Sequence, residues 1–251
     1  MDELVTVITV CYNSAQTISR TIESVLNQTY KNIEYLIIDG ASTDGTLDVI
    51  SDYTKGGEDR IKLVSEKDDG IYYAMNKGIS MARGNLIGII NSDDWYEPDA
   101  VEIMVEQYEN LIKSNADDNE YLILYGILRM VDAQGKELKI GLSDHNKLRE
   151  EMIAHPTCFV SKKVYDDFGK FDTRYVSASD YDFMLRMQET GRVRFEAVNK
   201  MIANFTVGGM CASSKAYYDL MKVRRDHKII SPTQYTIEYI KCKTYDLLHG
   251  I

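Results

Sequence analysis

Through its first hundred residues the chain alternates apolar runs with segments whose apolar side chains recur at three- and four-residue spacing. Leu4–Val10, Ile33–Asp39, Ile61–Glu66 and Leu86–Asn91 read as strands, the first, second and fourth apolar enough to be buried on both faces. Between them, Ala15–Gln28, Asp44–Tyr53 and Ile71–Arg83 carry the helical period, as in Ile18, Ile22, Val25 and Leu26. A strand buried on both faces needs cover above and below. The βαβαβαβ order therefore spells an α/β fold, a parallel sheet flanked by helices.

The remainder is less regular. A helix over Asp99–Lys113, a polar loop at Ser114–Glu120 and a strand over Tyr121–Ile127 lead to a hairpin within Leu128–Ile140, turning at Ala133-Gln134-Gly135. Short elements follow at Thr157–Ser161, Lys162–Phe168, Asp180–Thr190 and Val193–Val198. No linker divides the halves, so residues 1–213 read as one domain, with a nucleotide-binding half over 1–98 and a substrate-shaping half over 99–213. Residues 214–251 read as a helical C-terminal extension, with Ile237, Ile240, Tyr245 and Leu248 on one side of a final helix.

Charge narrows the function classes. With 29 Lys+Arg against 39 Asp+Glu the formal charge is −10, which disfavours binding to a phosphate backbone, so no nucleic-acid partner is expected. The tail from 215 onward carries +3 and the body −13, so the two face different partners. An anionic membrane touched peripherally and a second copy of the chain are the candidates. The four cysteines show no C-x-x-C spacing, which fits a reducing compartment. No basic leader precedes the first strand and no apolar run nears about 18 residues, so a cytoplasmic chain is expected.

In parallel α/β sheets ligands gather outside the carboxyl ends of the strands. Here four consecutive strands end in polar groups: Cys11-Tyr12-Asn13, Asp39-Gly40-Ala41-Ser42-Thr43-Asp44, Glu66-Lys67-Asp68-Asp69 and Asn91-Ser92-Asp93-Asp94. Asp44 suits a helix cap and Asp68-Asp69-Gly70 a turn. Asp93 and Asp94 fit neither reading, because adjacent carboxylates closing a buried strand repel unless a cation or donors compensate. Oxygen ligands without a His or Cys cluster suit Mg²⁺ or Mn²⁺, and Mg²⁺ binds through one or two carboxylates plus substrate phosphates. With neither a P-loop nor a G-x-G-x-x-G turn, metal rather than a glycine cradle must hold those phosphates.

The chain resembles a family 2 glycosyltransferase of the GT-A fold. The resemblance rests on Val7-Ile8-Thr9-Val10-Cys11-Tyr12-Asn13, Ser24-Val25-Leu26-Asn27-Gln28-Thr29-Tyr30, Ile38 through Thr46, Ser65 through Tyr72, Ala74-Met75-Asn76-Lys77-Gly78, Asn91-Ser92-Asp93-Asp94 and, later, Asp180-Tyr181-Asp182-Phe183 with Arg186. It covers the chain to about residue 210 and implies transfer, with inversion, of a sugar from a nucleotide-diphosphate sugar, a UDP-sugar foremost. The acceptor implied is a hydroxyl of a glycan or lipid-linked acceptor in surface-polysaccharide synthesis. Position by position it puts Thr9 and Asp39 at the nucleobase, Asp68 at the nucleoside, Asp93 at the ribose or metal shell, and Asp94 on the Mn²⁺ or Mg²⁺ at the diphosphate. Asp180 becomes the catalytic base, with Asp182 as its substitute. Ser179 stands where the family has an acid, and Gly40 where it often has a second aspartate.

Each of these residues has a plainer reading. Asp180 and Asp182 open a helix whose core face is Tyr181, Met184, Leu185 and Met187, where acids favour the dipole. His155 is a candidate contact for acceptor, phosphate or metal, or a structural histidine. Trp95 and Tyr96 suit either a sugar platform or packing. Gly208-Gly209-Met210-Cys211 is either a loop closing over the donor or a turn. Two other functions share the acidic α/β plan: a sugar nucleotidyltransferase, which needs a basic Gly-rich first loop, and a sugar-nucleotide-binding protein without a base.

Overall fold

The structure, a computed structural model, describes residues 3–56, 60–114, 121–208 and 214–249. Strands β1 (Val5–Cys11), β2 (Ile33–Asp39), β3 (Ile61–Ser65) and β4 (Leu86–Asn91) alternate with helices α1 (Ile18–Leu26), α2 (Thr46–Lys55) and α3 (Ile71–Met81). They pair in parallel in the order β3-β2-β1-β4, with Val5 opposite Ile33 on one side and Leu86 on the other. Every residue of β1 and β2 is buried, as the apolar runs require, whereas β3 at the sheet edge is largely exposed. Alternation splits β1 between two cores: Ile8 and Val10 join one layer, Val5 and Val7 the other.

Beyond β4 the sheet turns mixed. After a two-residue strand β5 (Trp95–Tyr96) and helix α4 (Ala100–Ser114) come β6 (Leu122–Val131), β7 (Glu137–Gly141), β8 (Cys158–Ser161), helices α5 (Lys162–Phe168) and α6 (Ser179–Glu189), and β9 (Arg194–Thr206). β8 runs antiparallel between β4 and β6, and β9 lies parallel to β6. The expected hairpin is present with Gly135 at φ +82°, but β6 runs four residues past Ile127 and β9 eight past Val198. Pairing along the buried, apolar β6 carries β9 past the point where its own apolar pattern lapses.

The extension forms two helices, α7 (Ser214–Asp226) and α8 (Pro232–His249). Lys222 donates to the Arg174 carbonyl and Arg225 pairs with its α7 neighbour Asp226, so part of the tail's positive charge is already engaged. Ile237 and Ile240 are exposed, while the side chains of Tyr245 and Leu248 lie outside the described residues. No helix among the described residues is long and apolar enough to cross a membrane.

At the end of the sheet away from the carboxyl edge, Gly84 is fixed by close approach. A Cβ there would sit 2.5 Å from the Thr6 nitrogen and 2.6 Å from the Leu4 carbonyl oxygen. Backbone cannot yield as a side chain can, so Gly84→Ala is expected to cost about 3 kcal/mol. A urea midpoint lowered without a change of slope would show it.

Candidate active site

A cavity of about 1060 Å³ opens along the carboxyl edge of β1–β4, and the second half of the chain closes its other side. Asn13, Asp44, Asp68 and Asp93 line it from the first half, and His155, Asp180, Met130, Lys139 and Phe205 from the second. Asn13, two residues past β1, takes a left-handed conformation (φ +51°), held by its backbone N–H donating to Ser42 Oγ and its Oδ1 accepting from Thr43 N–H. Asp44 accepts from Thr46 and from Ala15 N–H, but the N-cap of α2 is Gly45, so Asp44 sits one residue short of the capping position its sequence context suggested and instead ties the loop after β1 to the start of α2. Those bonds, Thr46's foremost, hold its carboxyl below the ordinary range. Asp68 accepts from Gly70 N–H at 3.0 Å and keeps its place in the cavity wall.

The twin acids after β4 part company. Asp93 is half-buried and faces the cavity, with burial pushing its carboxyl up. Asp94 is 0% exposed and absent from the lining; its Oδ1 accepts from Thr206 N–H at 2.9 Å, tying the turn after β4 to β9. Burial, then the charge of Asp93, pushes the Asp94 carboxyl well up, and its Oδ2 lies buried without a partner. Among the described residues no three His, Cys, Asp or Glu converge as a metal cage. The donors present, one carboxylate in the cavity wall with a second behind it, still suit a hard cation completed by substrate phosphates and water.

Several residues expected at the site lie elsewhere. Thr9 faces the layer opposite Val10, with its hydroxyl 2.9 Å from the Tyr35 hydroxyl, and alternation along β1 leaves Val10 at the cavity. Asp39 is fully buried, accepting from Ser42 N–H and Oγ–H and from Ser65 Oγ–H, and so shapes the loop after β2. Trp95 carries the Arg20 guanidinium 3.6 Å from its ring centroid, and Tyr96 packs on Phe159; neither offers a free platform. Asp182 points away from the cavity, into Arg186 and His227. Of the glycine loop, residues 209–211 lie outside the described residues.

Asp180 opens α6 with its side chain 8% exposed. Its Oδ1 accepts from the Tyr72 hydroxyl at 2.9 Å and from Tyr181 N–H at 3.0 Å, and His155 Nδ1 lies 3.2 Å from Oδ2. Burial pushes this carboxyl up, but the hydrogen bond and charge of His155, aided by Tyr72 and the Tyr181 N–H, outweigh it and hold the group below the ordinary range. An anion so held keeps its charge at neutral pH. Tyr72 escaped notice as a partner of Asp180 because 108 residues separate them.

A parallel sheet whose carboxyl edge presents acids to one cavity, capped by a mixed second half, is the GT-A architecture of nucleotide-diphospho-sugar transferases. The chain belongs to glycosyl transferase family 2, whose model matches residues 6–169. It is 30% identical over 97% of its length to a chondroitin synthase of Pasteurella multocida, and 32% identical over 84% to a hyaluronan synthase of the same species. It spans only 24% and 21% of those relatives. Among solved structures, S. aureus TarS in complex with UDP-GlcNAc superposes with TM-score 0.63 at 17% identity, covering 91% of this chain and 67% of that one. A mannosyltransferase from Pyrobaculum calidifontis with GDP-Man and Mn²⁺ gives 0.64 at 19%, covering 89% and 63%. These two likenesses concern the fold.

Proposed function

We propose that the chain moves a sugar from a nucleotide-diphosphate sugar, a UDP-sugar first among them, to a hydroxyl of a glycan or lipid-linked acceptor, with inversion. The observation that carries this reading is a single cavity lined by Asp68 and Asp93 from one half of the chain and by Asp180 from the other. Displacement at an anomeric carbon needs charge balanced at the leaving diphosphate and a base at the incoming hydroxyl. When bound, Mn²⁺ or Mg²⁺ supplies the first as a Lewis acid, and Asp93 is the residue that would hold it. Asp180 supplies the second: the hydroxyl proton passes to its carboxylate as the new C–O bond forms and the nucleotide diphosphate departs. The polysaccharide synthases among the relatives support a glycan acceptor, and the UDP-GlcNAc bound to TarS supports a uridine donor.

Thermal-shift screening of UDP, GDP and dTDP with and without Mn²⁺ tests the reading. One nucleotide is expected to raise Tm only with metal; no response to any of them would remove the proposal's basis. With Lys222 bonded to the body and Arg225 paired within α7, peripheral membrane contact or pairing with a second copy falls to the exposed face of α8. Salt-sensitive co-sedimentation with anionic vesicles, lost on deleting residues 232–251, is the result that membrane contact requires.

A further inference from the structure

The turn that carries Asp180 is gripped from behind as well as from the cavity. Helix α6 starts without a side-chain cap of its own. Asp219, on α7, holds the two residues just before α6: its Oδ2 accepts from Ser177 N–H at 2.8 Å and Ala178 N–H at 3.2 Å. Two residues beyond Asp180, and so on the far side of the helix, Asp182 Oδ1 lies 2.9 Å from Nε2 of His227, the residue that follows α7. His227 Nδ1 lies 3.0 Å from Glu189 Oε1, at the other end of α6. Carboxylates face both ring nitrogens, an arrangement that only the imidazolium form, donating from both, satisfies fully. Tyr175 donating to Asp226 at 2.8 Å and Lys222 donating to the Arg174 carbonyl at 3.1 Å fasten the approach to the helix.

We infer that Asp219 and His227 are positioning residues for Asp180, clamping the first turn of α6 so that the carboxylate meets the acceptor hydroxyl at a fixed depth. The inference rests on the reading of Asp180 as the base. A displacement of about 1 Å at a reacting group costs about 100-fold in rate, so a clamp remote from the reacting atoms still governs turnover. The charged groups on elements packed around the imidazole are Asp182, Arg186 and Glu189 of α6, Arg224, Arg225 and Asp226 of α7, and Arg149, which donates to the His227 carbonyl. The hydrogen bond to Asp182, then that to Glu189, raises the His227 pKa against the opposing effect of burial. The clamp is therefore complete below about pH 6.5 and is lost as pH climbs through the raised value.

The test compares the full chain with His227→Gln and His227→Arg. His227→Gln is expected to lower kcat about tenfold with donor KM within about twofold, and to quicken amide exchange at residues 177–182 about tenfold. His227→Arg, permanently charged, is expected to restore kcat and remove the alkaline decline of the wild-type pH profile. Wild-type exchange and turnover in His227→Gln would overturn the inference. So would a general loss of Tm in both variants with no recovery by arginine. If wild-type protein releases no nucleotide from any sugar donor, the reading of Asp180 fails, and the exchange comparison still decides whether the clamp exists.

Discussion

Asp180→Asn is expected to lower kcat by about 100- to 10,000-fold, the typical worth of a positioned base, while the metal-dependent response to nucleotide persists. The asparagine is nearly isosteric and still accepts from the Tyr72 hydroxyl and the Tyr181 N–H, so α6 keeps its start. Facing it, His155 must present an acceptor at Nδ1 instead of a donor, which a tautomer change provides. The loss of charge-assisted bonds to a buried group costs about 1–3 kcal/mol of stability, well short of unfolding a chain of this size. Steady-state kinetics with Tm on the same sample separates the two roles. A helix-start residue alone would lower Tm and spare kcat.

Asp93→Ala is expected to abolish the metal-dependent part of nucleotide binding, a loss of about 100-fold or about 2.7 kcal/mol, measured by calorimetric titration of UDP with and without Mn²⁺. Asp94→Asn makes the informative contrast. Asparagine at 94 still accepts from Thr206 N–H, and it removes a charge that burial and Asp93 already disfavour. That variant is expected to bind nucleotide as the wild type does, at equal or higher Tm. If Asp94 rather than Asp93 held the cation, the outcomes of the two substitutions would be exchanged.

The distinction between those neighbours marks where the sequence stops being legible. Runs such as Ile33–Asp39 announce a strand buried on both faces, and β2 matches it residue for residue. Asp68, Asp93, His155 and Asp180 reach the cavity because strand ends and the start of a helix deliver them there. Thr9 stands next to Val10 in β1 but faces the other way, since side chains alternate along a strand; Asp94 follows Asp93 in the turn after β4 yet is drawn inward by Thr206 N–H, and Asp39 is drawn inward by Ser42 and Ser65. A family's residue pattern does not fix which way such a side chain faces. Trp95 was ambiguous for another reason: its partner Arg20 lies 75 positions earlier, on α1, and only the packing of α1 against β5 brings them together. The links from Asp180 to Tyr72 and from Asp182 to His227 are likewise long-range pairings with no local signature.

The acidic edge of β1–β4 is expected to take a divalent cation together with a nucleotide diphosphate, through Asp93. Electron paramagnetic resonance of Mn²⁺ reads this most directly, because the free ion's signal falls as the ion is bound. That fall is expected when UDP and wild-type protein are both present, beyond what UDP alone causes, and is expected to be absent with Asp93→Ala. Equal signals for wild type and Asp93→Ala, at protein concentrations where UDP itself binds, would contradict it.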